Sequence, residues 1–193
     1  MLATFFIVLA QGQYKFALEA AFTFLISFAP LVVERLARIK LPPLYHLIYV
    51  AFVFGSMFTG EVLSMYGRWW PYDDWVHFAS GIVLGLATFV VLRFYQARAG
   101  WRLASWLIVA AMIAVNCTIS MAWELVEFAS DAWFGTFSQG ADLVDTMIDM
   151  RNGLFGAALT AALAALYLGG RPSLGFGWLV SRLERYNPEL KKS

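Results

Sequence analysis

Six apolar stretches, at about residues 1–11, 16–33, 44–66, 75–95, 103–128 and 153–169, are separated only by short hydrophilic breaks. In hydrocarbon each backbone N–H and C=O must be satisfied without water, and about 20 apolar residues make one spanning helix. The pattern therefore predicts an all-α, polytopic membrane helical bundle of five to six transmembrane helices, forming a single integral membrane domain over residues 1–193. The first stretch is too short to cross unaided. It lacks the positive n-region and small-residue cleavage site of a signal peptide, so a retained short helix, or the remainder of one, is expected. Composition agrees: 61% of residues are apolar and 14% charged, where a soluble domain would carry about 25% charge. A net charge of +1 without a long basic run gives no reason to expect nucleic acid as a partner. The single Cys117 excludes an intramolecular disulfide.

Cytoplasmic loops retain Lys and Arg. Arg35, Arg38 and Lys40 mark one loop as inside, Arg93, Arg98 and Arg102 another, and Arg171, Arg182, Arg185, Lys191 and Lys192 the tail. With six spans both termini are cytoplasmic, and the 67–74 and 129–151 connections face outward.

Those two connections, together with the helix ends beside them, carry most of the acid. Asp73 and Asp74 with His77 open the fourth span, Glu124 and Glu127 with Asp131 close the fifth, and Asp142, Asp145 and Asp149 precede the sixth. Glu61 lies near the same level. Carboxylates beside hydrocarbon are costly and mark functional positions. Residues three, four or seven apart share a helix face, so each cluster presents one polar stripe. Like charges on one face call for protonation or a cation. A divalent metal ion answers this need, and oxygen donors with one imidazole favour Mg, Mn, Ca or Fe and allow Zn. His46 is expected at the inner end of its span, so a second histidine ligand is not expected.

Structural roles compete at each position. The acids can bond Arg68, Arg151, Trp69, Trp70, Tyr72 or helix N-termini, and Asp142 and Asp145 suit helix capping. His46 reads as structural, Glu19 pairs with Lys15 at i, i+4, and the Trp69, Trp70 and Tyr72 group reads as an interfacial belt. Gly81 and Gly85, Gly153 and Gly156, and the Ala-rich run 157–165 allow close helix approach.

The segments Asp73-Asp74-Trp75-Val76-His77-Phe78 with Gly81 and Gly85, Trp123-Glu124-Leu125-Val126-Glu127-Phe128, Asp131, Gly135-Thr136 with Gln139, and Asp145-Thr146-Met147-Ile148-Asp149 resemble the bacterial YjdF family of inner-membrane proteins. The resemblance covers about residues 40–170. It implies a multi-pass protein of the bacterial inner (cytoplasmic) membrane and speaks to fold far more than to function. More distantly, Asp73, His77-Phe78, Glu124 and the Asp149 region with Gly153 and Gly156 are similar to VanZ-like membrane proteins. Asp74 stands where that family tends to have a basic residue and Glu127 where it often has Gln, so a resistance role does not transfer.

The leading expectation is a metal-dependent hydrolase or transferase acting on a lipid-linked substrate at the outer leaflet. Asp73, His77, Glu124, Asp145 and Asp149 would hold the ion, Glu127 or Asp74 would activate water, and Arg68 or Arg151 would bind a phosphate group. The alternatives are a cation transporter or sensor and a structural membrane protein with an ion-stabilised acidic cluster. Thr59, Glu61, Asn116, Thr118, Ser120 and Thr160 are a thin supply of deeper polar groups for a transport path. Phosphate-binding Gly loops, a nucleophile elbow and a Rossmann fingerprint are absent from the sequence.

Overall fold

The computed structural model describes residues 1–135, 138–139 and 143–192. Asp142 and Thr136, both singled out above, lie outside the described residues. Every regular element among the described residues is helical: α1 (Leu2–Ala10), α2 (Tyr14–Ile26), α3 (Ala29–Ala37), α4 (Pro43–Val53), a π-helical segment (Phe54–Val62), α5 (Met65–Arg68), α6 (Tyr72–Ala99), α7 (Ser105–Phe134), α8 (Leu143–Leu168), α9 (Phe176–Tyr186) and a 3-10 segment (Pro188–Lys192). Among the described residues, five helical stretches are long and apolar enough to cross a membrane: Tyr14–Ala37, Pro43–Val62, Tyr72–Ala99, Ser105–Phe134 and Leu143–Leu168. The nine residues of α1 rise only about 13 Å at 1.5 Å each, under half a hydrocarbon core of about 30 Å.

The chain contacts divide into two units, Met1–Val76 with Arg185–Asn187, and His77–Glu184 with Pro188–Ser193. In the first unit, Tyr14–Ala37 is interrupted between α2 and α3, where Ser27 Oγ donates back to Thr23 O at 2.7 Å and Pro30 enters the first turn of α3. Hydroxyl back-bonding and proline both disturb the helical ladder. The second span widens into the π-helical segment over a run containing Gly55, Ser56 and Gly60. Two phenols satisfy carbonyls of that segment: Tyr66 Oη donates to Ser56 O at 3.0 Å and Tyr72 Oη to Gly55 O at 2.8 Å. Tyr66 packs its ring where a Gly60 side chain would be. Tyr72 is thus tied to the backbone, whereas Trp70 is exposed as an interfacial residue would be.

Also in the first unit, His46 stands 3.3 Å from Glu34, whose other oxygen accepts the Leu41 N–H. This is the structural role expected of His46. Lys15 lies 3.7 Å from Glu19 and 3.8 Å from Glu61, so one ammonium serves both intramembrane acids. Asn187 clamps the α3–α4 connection, accepting from Lys40 N at 2.9 Å and donating to Lys40 O at 2.7 Å.

The second unit holds the tightest packing. Gly81 on α6 meets the Gly153 carbonyl and the Gly156 Cα, and Gly156 meets the Phe78 carbonyl, so a Cβ on either glycine would collide with backbone. One turn further along, Gly85 sits against Thr160, and Ala157, Ala161 and Ala164 are buried. Close approach is the function of small residues where no hydrophobic effect drives helices together. Past this crossing, Phe89, Tyr167 and Phe176 form an edge-on aromatic group, with ring centroids 5.0–6.2 Å apart.

Arg93 differs from the loop residue its neighbourhood suggests. It lies within α6, is buried, donates to Leu190 O at 2.9 Å and stands 3.9 Å from Glu184, which also accepts from Tyr167 Oη at 3.1 Å. A charge inside a spanning helix is tolerated when it is paired in the protein interior. Here it fastens the C-terminal segment.

Candidate functional site

The C-terminal end of α7 and the N-terminal end of α8 are inside out. On α7, Leu125 and Val126 are each 59% exposed while Glu124 between its apolar neighbours is 5% exposed; on α8, Leu143, Val144 and Met147 are exposed while Thr146 and Asp149 are buried. A soluble helix would turn these faces the other way. In a bilayer the apolar side meets lipid and the polar side must find its partners within the bundle.

The hydropathy window missed this arrangement at the start of α8. The helix begins at Leu143, ten residues before the apolar stretch, so Asp145 and Asp149 belong to it and do not precede it. The acids pull the window average down although Leu143, Val144 and Met147 form an apolar surface on the other side of the helix. Asp131 likewise lies inside α7.

His77 follows Asp73 by one turn on α6, and that helix runs unbroken through Tyr72–Ala99, so Asp73 is placed by α6 itself. His77 Nε2 stands 3.9 Å from Asp149 Oδ1, with both side chains largely buried. Asp73, His77 and Asp149 each bring one potential ligand atom, all within 4.8 Å of one another. The glycine crossing explains the approach: Gly81 is four residues after His77, and Gly153 four after Asp149. Backbone contact at the glycines keeps the two helices close one turn toward their N-termini, where His77 and Asp149 sit.

α7 supplies the third wall. Asn116, Ser120 and Glu124 recur every four residues, and a side chain at Gly153 would meet Ser120 Oγ at 2.9 Å and Asn116 Oδ1 at 3.8 Å. Because α7 and α8 run antiparallel, setting Ser120 beside Gly153 puts Glu124 level with Asp149. Asn116 is fully buried, with Nδ2 3.5 Å from Gly81 O and no hydrogen bond to Oδ1. This stripe was readable from its i, i+4, i+8 spacing.

The remaining residues singled out in the sequence separate by role. Asp131 accepts the Ser138 N–H at 2.6 Å and the Gln139 N–H at 3.0 Å, which makes it the clamp of the loop after α7. Gln139 then reaches Glu124 O at 3.4 Å and Thr146 Oγ1 at 3.5 Å, tying α7 to α8 beside the acids. Glu127 accepts from Trp123 Nε1 at 2.9 Å. Asp74 and Asp145 are half-buried near the starts of α6 and α8, outside the three-residue group. Arg151 follows Asp149 by two residues, about 200° around the helix at 3.6 residues per turn; it is exposed and bonds Asn152. Arg68 is exposed on α5.

Donors about 2.0–2.2 Å from one ion lie no more than about 4.4 Å apart; the His77–Asp149 pair, at 3.9 Å, falls within that span, while the group with Asp73 is held within 4.8 Å. Carboxylates with one neutral imidazole suit Mg, Mn, Fe or Zn.

A relative from Thermotoga maritima, described only as "Uncharacterized protein", is 24% identical over 141 residues, covering 71% of this chain and 70% of its own length. No solved structure matches the chain significantly. The family model described as "Predicted membrane protein (DUF2238)" matches residues 1–170. With that match over most of its length and five helices suited to crossing a bilayer, the chain belongs to the DUF2238 family of predicted membrane proteins.

Proposed function

We propose that the outer ends of α6, α7 and α8 form a divalent-metal site serving a hydrolase or transferase that acts on a lipid-linked substrate at the outer face of a bacterial inner membrane. The observation that carries the reading is the approach of His77 to Asp149 within a group that includes Asp73. Glu124, buried and level with Asp149, and Asp145, one turn earlier on α8, complete the ligand set. Such an ion supplies Lewis acidity and lowers the pKa of water. Glu127 or Asp74, at the edge of the cluster, takes the proton from the attacking water. Arg68 is the cation proposed to meet a phosphate group; Arg151, on the far side of α8 from Asp149, would do so only from a substrate lying along the lipid face.

Orientation follows the basic loops. With five crossings, residues 35–40, 98–102 and the tail after Arg171 lie inside, while the segment before α2 lies outside. Both termini would be cytoplasmic only if the nine-residue α1 also crossed. The resemblance to the bacterial YjdF family supports the same membrane.

The alternative, cation transport, has one observation in its favour: the buried Asn116 and its neighbour Ser120 extend polar groups inward from Glu124. Proteoliposomes containing a polyprenyl diphosphate and an encapsulated metal indicator distinguish the two. Manganese-dependent phosphate release, lost in Glu127→Ala or Asp74→Ala proteins that still bind manganese, is the result the enzyme reading expects. Manganese entry without phosphate release would replace it with transport.

A further inference from the structure

Away from the acidic cluster, α6, α8 and α9 enclose an open groove of about 300 Å³, lined by Ile82, Leu86, Leu163, Phe176, Trp178 and Leu179. Thr160 also lines it, but its hydroxyl is already donated to Gly156 O at 3.0 Å. The groove therefore offers a ligand almost purely apolar contact. Its volume matches the lower end of small-ligand sites.

Two features, one at a lining residue and one stacked on another, bear on the occupant. Arg182 sits four residues after Trp178 on α9, with its guanidinium carbon 4.4 Å from the indole centroid, a cation–π stack that holds a positive charge beside the apolar wall. Leu174, also lining the groove, is 89% exposed and has φ +41°. Left-handed backbone is sterically unfavourable for a leucine and occurs where surroundings or function require it. Here it presents an apolar side chain outward at the groove mouth. α9 itself buries Phe176, Val180 and Leu183 and exposes Trp178 and Arg182, the pattern of a helix lying in a membrane interface.

We infer that this groove binds one acyl chain of an anionic phospholipid from the surrounding membrane, with the lipid phosphate against Arg182. An apolar trough next to spanning helices suits a chain, and a fixed cation at its mouth selects an anionic headgroup, because a guanidinium makes charge-assisted bonds to phosphate. Arg171, in the same unit, adds the same sign of field. The site shares no residue with the acidic cluster, so it stands or falls independently of the metal.

Native mass spectrometry of the full chain tests this, using detergent-purified, delipidated protein offered equimolar phosphatidylglycerol and phosphatidylcholine with identical chains. The expected result is one retained lipid per chain, with phosphatidylglycerol favoured about tenfold, the value of one charge-assisted contact. Arg182→Gln, at an exposed position, should bring the preference to near parity. Leu174→Gly should lower retention of both lipids while thermal stability holds or rises, since glycine accepts positive φ. Wild-type protein that retains neither lipid, an Arg182→Gln protein that keeps the preference, or a Leu174→Gly protein with undiminished retention would each overturn the inference.

Discussion

Gly156→Leu is expected to abolish folded protein, and Gly156→Ala to destabilise it by about 1–3 kcal/mol or more, the range for forcing extra carbon into a packed core. The reason is local. A Cβ at Gly156 collides with the Phe78 carbonyl and lies 3.1 Å from both Gly81 Cα and Ile82 N, and backbone cannot swing aside as a side-chain tip can. Gly67→Ala provides the contrast, because nothing lies within 4 Å of its added carbon. Thermal unfolding of the three variants in one detergent checks this. A Gly156→Ala protein as stable as Gly67→Ala would show that α6 and α8 do not meet through these glycines. The same substitution carries a second consequence: it forces α6 and α8 apart close to His77 and Asp149, so metal affinity should fall together with stability.

Arg93→Ala is expected to cost about 3–5 kcal/mol, the effect of removing one partner of a buried ion pair. It leaves the Glu184 carboxylate without the guanidinium 3.9 Å away and strips Leu190 O of its donor. Arg102→Ala, on an exposed residue, should stay within about 0.5 kcal/mol of wild type. Equal unfolding temperatures for the two variants would contradict the role given to Arg93. Limited proteolysis adds a directional check, since release of the Leu190 contact should expose the chain's end to a carboxypeptidase.

The contrast between Arg93 and Arg102 also shows where sequence reading stopped. Both are basic residues near a polar break, and charge counting treats them alike; burial of Arg93 depends on a C-terminal segment about a hundred residues away. The five spanning helices were legible because apolar length is a local property. The glycine crossing was legible because small residues at spacings of three and four make sense only as a contact face. The beginning of α8 was not, because Asp145 and Asp149 lower a window average while occupying a single buried stripe. Nor was the π-helical winding at Phe54–Val62, which has no periodic signature and depends on Tyr66 and Tyr72 reaching back to its carbonyls.

Within the acidic cluster, spacing alone linked Asp73 to His77 and Glu124 to Glu127. Asp149, expected among the ligands, faces His77, whereas Asp131, left out of that set, is occupied with loop amides. That distinction supplies an internal control for the metal proposal.

The most direct measurement is elemental analysis of detergent-purified wild-type protein after exposure to Mn and Zn, beside His77→Ala, Asp149→Ala and Asp131→Ala proteins shown to be monodisperse. The account predicts near-stoichiometric metal in wild type and Asp131→Ala, and its loss in His77→Ala and Asp149→Ala. Equal metal in all four proteins, or none in any, would contradict it.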